Sequence, residues 1–288
     1  MRGGSVRVVG AVLVAAGMVA GCAGGGGSPE RHADVGRPSG AMALTAALVK
    51  VEDASARAHT ARVVETRTVG GAQPSRMSGV MDWSHGVQGN FTLTRPTSTA
   101  IRTARFEFRR DAIYMRVPAD FSAMAGGKHW LKTPMSAIAA QSPVHKAQVD
   151  SMRQADPTLS VRLLIASGDV DRVGTQRVGG AATTHYTGTL DVDRMAALRG
   201  RGLSPEDAAH LKEDLVAQGV RSARVDLWVD GDDLVVKRQV RMRTAAGERT
   251  TVVRYSDYGV AVDLSVPRPS DTTLLPPAAD QRQSAGRG

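Results

Sequence analysis

Between residues 223 and 267 apolar and polar side chains alternate almost without a break, in runs separated by short turns. Val225, Leu227 and Val229 alternate with Arg224, Asp226 and Asp230, and Asp230-Gly231-Asp232-Asp233 then supplies a turn. Asp-Gly suits a hairpin because such a turn needs residues at positive φ. The return strand puts Leu234, Val236, Val240 and Met242 on one face, interrupted by Arg238. Val235, Lys237, Gln239, Arg241 and Arg243 fall on the other. A second turn at 245–248 leads into a strand over 250–255 that carries Val252, and a last extended run over 260–266 stops at Pro267. A period of two this regular predicts a sheet wet on one face and covered on the other. The covered face is where function is sought.

The same period recurs earlier. Strands are predicted over 62–69, 75–83, 87–95, 98–105 and 106–117, with turn signals such as Gly70-Gly71 and Ser84-His85-Gly86 between them. Such close spacing indicates an antiparallel meander. One more short strand is expected at Trp130, followed by short helices and loops around Met135, Ile138 and Met152. Two further strands flank Gly179-Gly180.

Helical spacing marks 42–59, 157–167, 193–198 and 204–218. The second begins with Pro157 and is followed by Gly168; the last has Ser204 as N-cap, Pro205 at its first position and Gly219 as its stop. Leu163 and Leu164 face inward on one helix, Leu211 and Leu215 on the other.

The amino terminus breaks with both periods. Arg2 and Arg7 precede an apolar run over 8–18, long enough for a signal peptide and too short to span a bilayer. Ala20-Gly21 then precede Cys22, the one cysteine of the chain. This resembles the bacterial lipobox, whose cysteine receives diacylglycerol after the signal is cut. The lipobox pattern usually has Leu three residues before the cysteine, where this chain has Val19. Residues 1–21 are therefore expected to be a signal peptide and Cys22 the lipidation site. Residues 22–40, with four consecutive glycines and little to bury, read as a flexible tether of roughly 20–25 Å. A single domain is expected over 41–267, and a disordered tail over 268–288.

Composition narrows this picture in two ways. Aromatics make up only 4% of the chain, so aliphatic side chains must fill the core. The formal charge of +9 becomes +7 without Arg2 and Arg7, which suits an anionic membrane or cell-wall surface. One cysteine excludes an intramolecular disulfide.

Residues 178–191, Val178-Gly179-Gly180-Ala181 through Thr189-Leu190-Asp191, resemble the central hairpin of the LppX/LprG-type lipoproteins of high-GC Gram-positive bacteria. The strands Leu227-Trp228-Val229-Asp230 and Leu234-Val235-Val236-Lys237-Arg238, and the run Tyr255-Ser256-Asp257-Tyr258-Gly259-Val260, resemble the same group. The resemblance implies an α+β, LolA-like fold: a curved antiparallel sheet, or half-barrel, with helices in its concave face. Several members hold a lipid or glycolipid acyl chain between sheet and helices. Candidate cavity residues are then Leu163, Leu164, Leu211, Leu215, Val225, Leu227, Val229, Leu234, Val236, Val240, Met242 and Val252. The expected function is that of a membrane-anchored lipid carrier or sensor, outside the cytoplasm at the outer leaflet of the cell membrane. The alternative is an envelope interaction module with the same fold and no lipid cargo. A monomer with an envelope protein partner fits either.

Other constellations are weaker. The Asp230–Asp233 turn lacks the further oxygen ligands of a calcium loop. Asp82, Ser84 and His85 are triad residue types without a nucleophile elbow, and no histidine pair has zinc-ligand spacing. No catalytic residue, metal, cofactor or nucleic-acid partner is expected.

Overall fold

Twelve strands form one sheet, and the alternation along the chain is its cause. The computed structural model describes residues 40–96, 103–141, 149, 152, 153, 155–194 and 205–274. The strands are β1 (Thr60–Val69), β2 (Ser75–Asp82), β3 (Gln88–Thr94), β4 (Thr103–Phe108), β5 (Ala112–Arg116), β6 (Trp130–Pro134), β7 (Val170–Val178), β8 (Ala181–Asp191), β9 (Ser222–Val229), β10 (Val235–Thr244), β11 (Gly247–Ser256) and β12 (Thr272–Leu274). Their order is β12-β6-β5-β4-β3-β2-β1-β11-β10-β9-β8-β7. All pairs are antiparallel except β12 with β6. The sheet is open, and one this wide twists and curls.

The α-helices with both ends among the described residues are α1 (Gly40–Ala58), α2 (Met135–Gln141), α3 (Pro157–Ser167) and α4 (Pro205–Ala217). The α3 bounds are those expected, for local reasons. The Asp156 carboxylate accepts from the Thr158 backbone N at 2.8 Å, Pro157 follows at the first position, and Gly168 closes the helix at φ 66°. Burial pushes the Asp156 carboxyl up from its ordinary range, against the hydrogen bonds that Thr158 donates to it.

α1 and α3 share a salt bridge, Glu52 to Arg162 at 2.6 Å. Beneath them lies the main core. Leu48, Val51, Val161 and Leu164 pack with Val63, Leu227, Val235 and Val253 of the sheet, and Phe91 and Phe106 extend it towards β4. A second, smaller core sits under α4, where Ala208, Leu211 and Leu215 meet Leu190, Val192 and Ala223.

Three expectations need correction. The meander turns at residues 109–111 rather than between Arg105 and Phe106: Arg109 N donates to Ala112 O at 2.9 Å, separating β4 from β5. Residues 260–266 are not a strand of the sheet. They lie against β3 and β4, where Asn90 Nδ2 donates to the Asp263 carbonyl at 2.7 Å and Arg109 to the Ser265 carbonyl at 3.0 Å. The expected disordered tail is ordered as far as residue 274, because β12 pairs with the edge strand β6 and gives that edge a partner. Residues 1–39, with Cys22, and 275–288 lie outside the described residues, as do Ser204 and most of the helix expected over 193–198.

The strap that ends in β12 carries a pH-sensitive tie. The backbone N and Nδ1 of His129 approach Asp271 Oδ1 at 3.0 and 2.6 Å, and these bonds hold the Asp271 carboxyl below its usual range. A depressed carboxyl stabilises the fold above its unfolded pKa and ceases to do so as pH falls through the folded one. Hydrogen exchange at residues 272–274 is therefore expected to accelerate below about pH 4, ahead of β1 and β11. Equal protection at pH 3 and pH 7 would remove the tie from the account.

Candidate functional site

The helix-covered face is fixed by register. Val225, Leu227 and Ala223 of β9 stand opposite Val240, Arg238 and Met242 of β10, and Val229 stands opposite Val235. Between Val235 and Lys237 the register shifts by a bulge. That one extra residue reverses the phase read from the sequence at the start of β10 only: Val235, not Val236, faces the helices, while Arg238, Val240 and Met242 stay together on the covered face. Val252 pairs with Gln239 on the open face, while Val253 and Thr251 face the helices. Leu234 closes the hairpin, its backbone N donating to Asp230 Oδ1 at 3.0 Å.

The cavity candidates therefore part company. Leu163, Leu211, Leu215, Val225, Val240 and Met242 line one cleft between α3, α4 and strands β8 to β11. Leu164, Leu227 and Val229 are sealed in the main core. Leu234, Val236 and Val252 do not line the cleft, for the reasons of register just given. Residues not singled out from the sequence complete the wall: Ser160, Leu190, Gln218, Ala223, Arg238, Arg249 and Thr251. A second cleft lies over strands β1 to β4, lined by Glu65, Arg67, Ser75, Met77, Leu93, Arg95, Phe106 and Met152.

Both clefts are narrow. With its open mouth the first measures about 700 Å³, but its cavity volume is about 50 Å³; the second has a cavity volume of about 200 Å³. One liquid water takes about 30 Å³, so the first admits one or two waters as it stands.

A polar band crosses the covered face between the two cores. Arg238 is buried and donates to Ser160 Oγ at 2.9 Å. Arg67 meets Glu65 Oε1 at 2.6 Å, and Arg249 donates to Gln218 Oε1 at 2.6 Å. Burial, then the neighbouring Arg67, push the Arg249 guanidinium pKa down; Glu65 opposes them. The period-two pattern held a trace of this band, since Arg249, Thr251, Val253 and Tyr255 alternate along β11.

The remaining constellations are local. Asp230 Oδ1 accepts from the backbone N of Asp232 and Leu234, both at 3.0 Å, so this carboxylate closes its own turn. Ser84 Oγ lies 2.7 Å from Asp82 Oδ1 and 3.0 Å from His85 Nδ1, with the serine and histidine exposed and the aspartate half-buried. The serine stands between acid and base, whereas a triad needs the histidine in that place. His185 sits on the open sheet face, with Nε2 2.9 Å from Asp226 Oδ1 and its ring stacked 4.3 Å from that of Trp228.

No protein-family model matches the chain. Among solved structures it is similar to the Mycobacterium tuberculosis lipoprotein LppX, with a TM-score of 0.47 at 13% identity over 77% of this chain and 98% of that one. It is likewise similar to LprF from Mycobacterium bovis, with a TM-score of 0.47 at 14% identity over 79% and 97%. In sequence it is 34% identical over 240 residues to an "Uncharacterized 31.2 kDa protein in rplA-rplJ intergenic region" of Streptomyces griseus, covering 79% of this chain and 77% of that one. It is 33% identical over 287 residues to the "Putative lipoprotein SCO4650" of Streptomyces coelicolor, covering 91% of each. The chain thus belongs to the lipoprotein family of these Streptomyces proteins.

Proposed function

We propose that this envelope lipoprotein is anchored outside the cytoplasm through acylated Cys22 and binds the aliphatic part of a lipid or glycolipid between α4 and the sheet. The observation that carries this reading is the cleft under α3 and α4, where six of the twelve sequence candidates converge beside the smaller core. α4 is seated mainly by Ala208, Leu211 and Leu215. Lifting it by the width of a hydrocarbon chain would expose those side chains to the ligand rather than to water. Each buried methylene contributes about 0.8 kcal/mol, so ten give about 8 kcal/mol before ordering costs. Binding involves no covalent step.

The test uses the full chain carrying Cys22→Ser, so that covalently attached acyl groups are excluded. Native mass spectrometry is expected to find one non-covalent lipid per chain, and Leu215→Arg, which places a cation in the cleft, is expected to abolish it. Empty protein, with no rise in Tm on adding lipid dispersions, would reject the reading. The cavity volume of about 50 Å³ favours the alternative of an interaction module with its interior filled. That outcome would then stand in its place.

A further inference from the structure

We propose that the amphiphile carries an acidic headgroup, a carboxylate or phosphate, received by Arg249 of β11 and Arg67 of β1 while its tail runs along Leu163, Leu211 and Leu215. This rests on the amphiphile-binding reading above and names the class of ligand. Arg67 pairs with Thr251 across the β1–β11 seam and Val69 with Arg249, which sets the two guanidiniums diagonally on the helix-covered face. Arg249 lines the first cleft and Arg67 the second, so the pair bridges both.

The charge balance there is uneven. Among the described residues, four arginines line the two clefts, Arg67, Arg95, Arg238 and Arg249, and one carboxylate does, Glu65, which pairs with Arg67. Arg249 is the telling member. One terminal nitrogen donates to the neutral Gln218 Oε1 at 2.6 Å, and the other lies against the neutral Met242 Sδ. Glu65, the carboxylate near it, is paired with Arg67 at 2.6 Å and offsets only part of the cost of burial, so a further anion would relieve this partly buried cation. Burial and Arg67 depress its proton affinity, in keeping with that cost. A guanidinium also matches the two oxygens of a carboxylate or phosphate bidentately. A wholly apolar cargo would leave this cost in place and run its chain past Arg238 and Thr251, whereas an acidic amphiphile satisfies both parts of the wall.

The experiment measures binding to the full Cys22→Ser chain of dodecyl phosphate, of uncharged dodecanol and of inorganic phosphate, each also with Arg249→Gln. Dodecyl phosphate is expected to bind roughly tenfold to a hundredfold more tightly than dodecanol. Arg249→Gln should remove that advantage, bringing dodecyl phosphate to about the affinity of dodecanol for the same variant, and an unchanged circular-dichroism spectrum reports that the variant is folded. Inorganic phosphate alone should bind too weakly to raise Tm. Equal affinities for the charged and neutral probes, untouched by Arg249→Gln, would overturn the headgroup proposal and keep the amphiphile reading. Tight binding of inorganic phosphate alone would overturn the proposal in favour of a free-anion site. Binding of none of the three would overturn both.

Discussion

Arg109→Ala is expected to destabilise the fold by about 3 kcal/mol, the low end of what removing one member of a buried ion pair costs, because Glu107 is only half-buried. The side chain of Arg109 is 3% exposed and bonds in several directions at once. It donates to the carbonyls of Gly89 at 2.9 Å and Phe108 at 3.1 Å, to Asn90 Oδ1 at 2.9 Å and to Glu107 Oε2 at 2.9 Å. Its reach to the Ser265 carbonyl at 3.0 Å ties the strap to the sheet. Alanine would leave these acceptors short of a donor in a site water enters poorly. It would also leave Glu107, whose carboxyl burial already pushes up, without the cation that opposes that push. For a domain of this size the Tm should fall on the order of 10 °C, and hydrogen exchange should quicken over residues 260–274. Lysine, a single point donor without the fork, should recover only part of the loss. A Tm within a degree of the parent would show that the strap and the β4–β5 turn are held by something else.

This residue also marks the limit of what the chain discloses by itself. β9 and α3 were legible because their signals are local: alternation in the first, and Asp156, Pro157 and Gly168 in the second. Arg109 gives no such signal. Its turn has neither glycine nor proline, and its partners Asp263 and Ser265 lie more than a hundred and fifty residues away. The same reason explains the cleft wall. Leu234-Val235-Val236 and Val252-Val253 are apolar on both phases, so either residue of each pair suits the covered face. Register decides between them, through Val235 opposite Val229 and Tyr255 opposite Val63. Arg238, an interruption in the pattern, faces inward because Ser160 of a distant helix receives it. Period two thus identifies a strand and its two faces, and only the neighbouring strand says which face is inside.

Gly188→Val tests how closely the cleft's upper wall is set on the sheet. Gly188 of β8 lies opposite Val225, on the covered face, beneath the last turn of α3. A β-carbon there would stand 2.3 Å from the Asp169 carbonyl oxygen, 2.7 Å from Leu164 Cδ1 and 3.2 Å from Ser167 Oγ. The first of these is backbone and has no rotamer by which to withdraw. Its surroundings are already ordered: Ser167 Oγ donates to the Leu164 carbonyl at 2.7 Å and accepts from Asp169 N at 3.2 Å. Relief requires the C-terminal end of α3 to move off the strand, and overpacking of this kind costs about 1–3 kcal/mol, with valine at or above the upper end. The Tm should drop by roughly 5–10 °C, and Gly188→Ala should move it the same way by less, because the β-carbon itself makes the clash. Thr189→Val, one residue along on an exposed position, should stay within about 0.5 kcal/mol of the parent. The displacement also reaches the site, since Ser160 and Leu163 of the same helix line the cleft and Ser160 holds Arg238. Dodecanol affinity should therefore change along with stability. A Gly188→Val protein as stable as the parent would mean that α3 rides higher above β8 than these distances place it, and that the cleft is wider than its walls now appear.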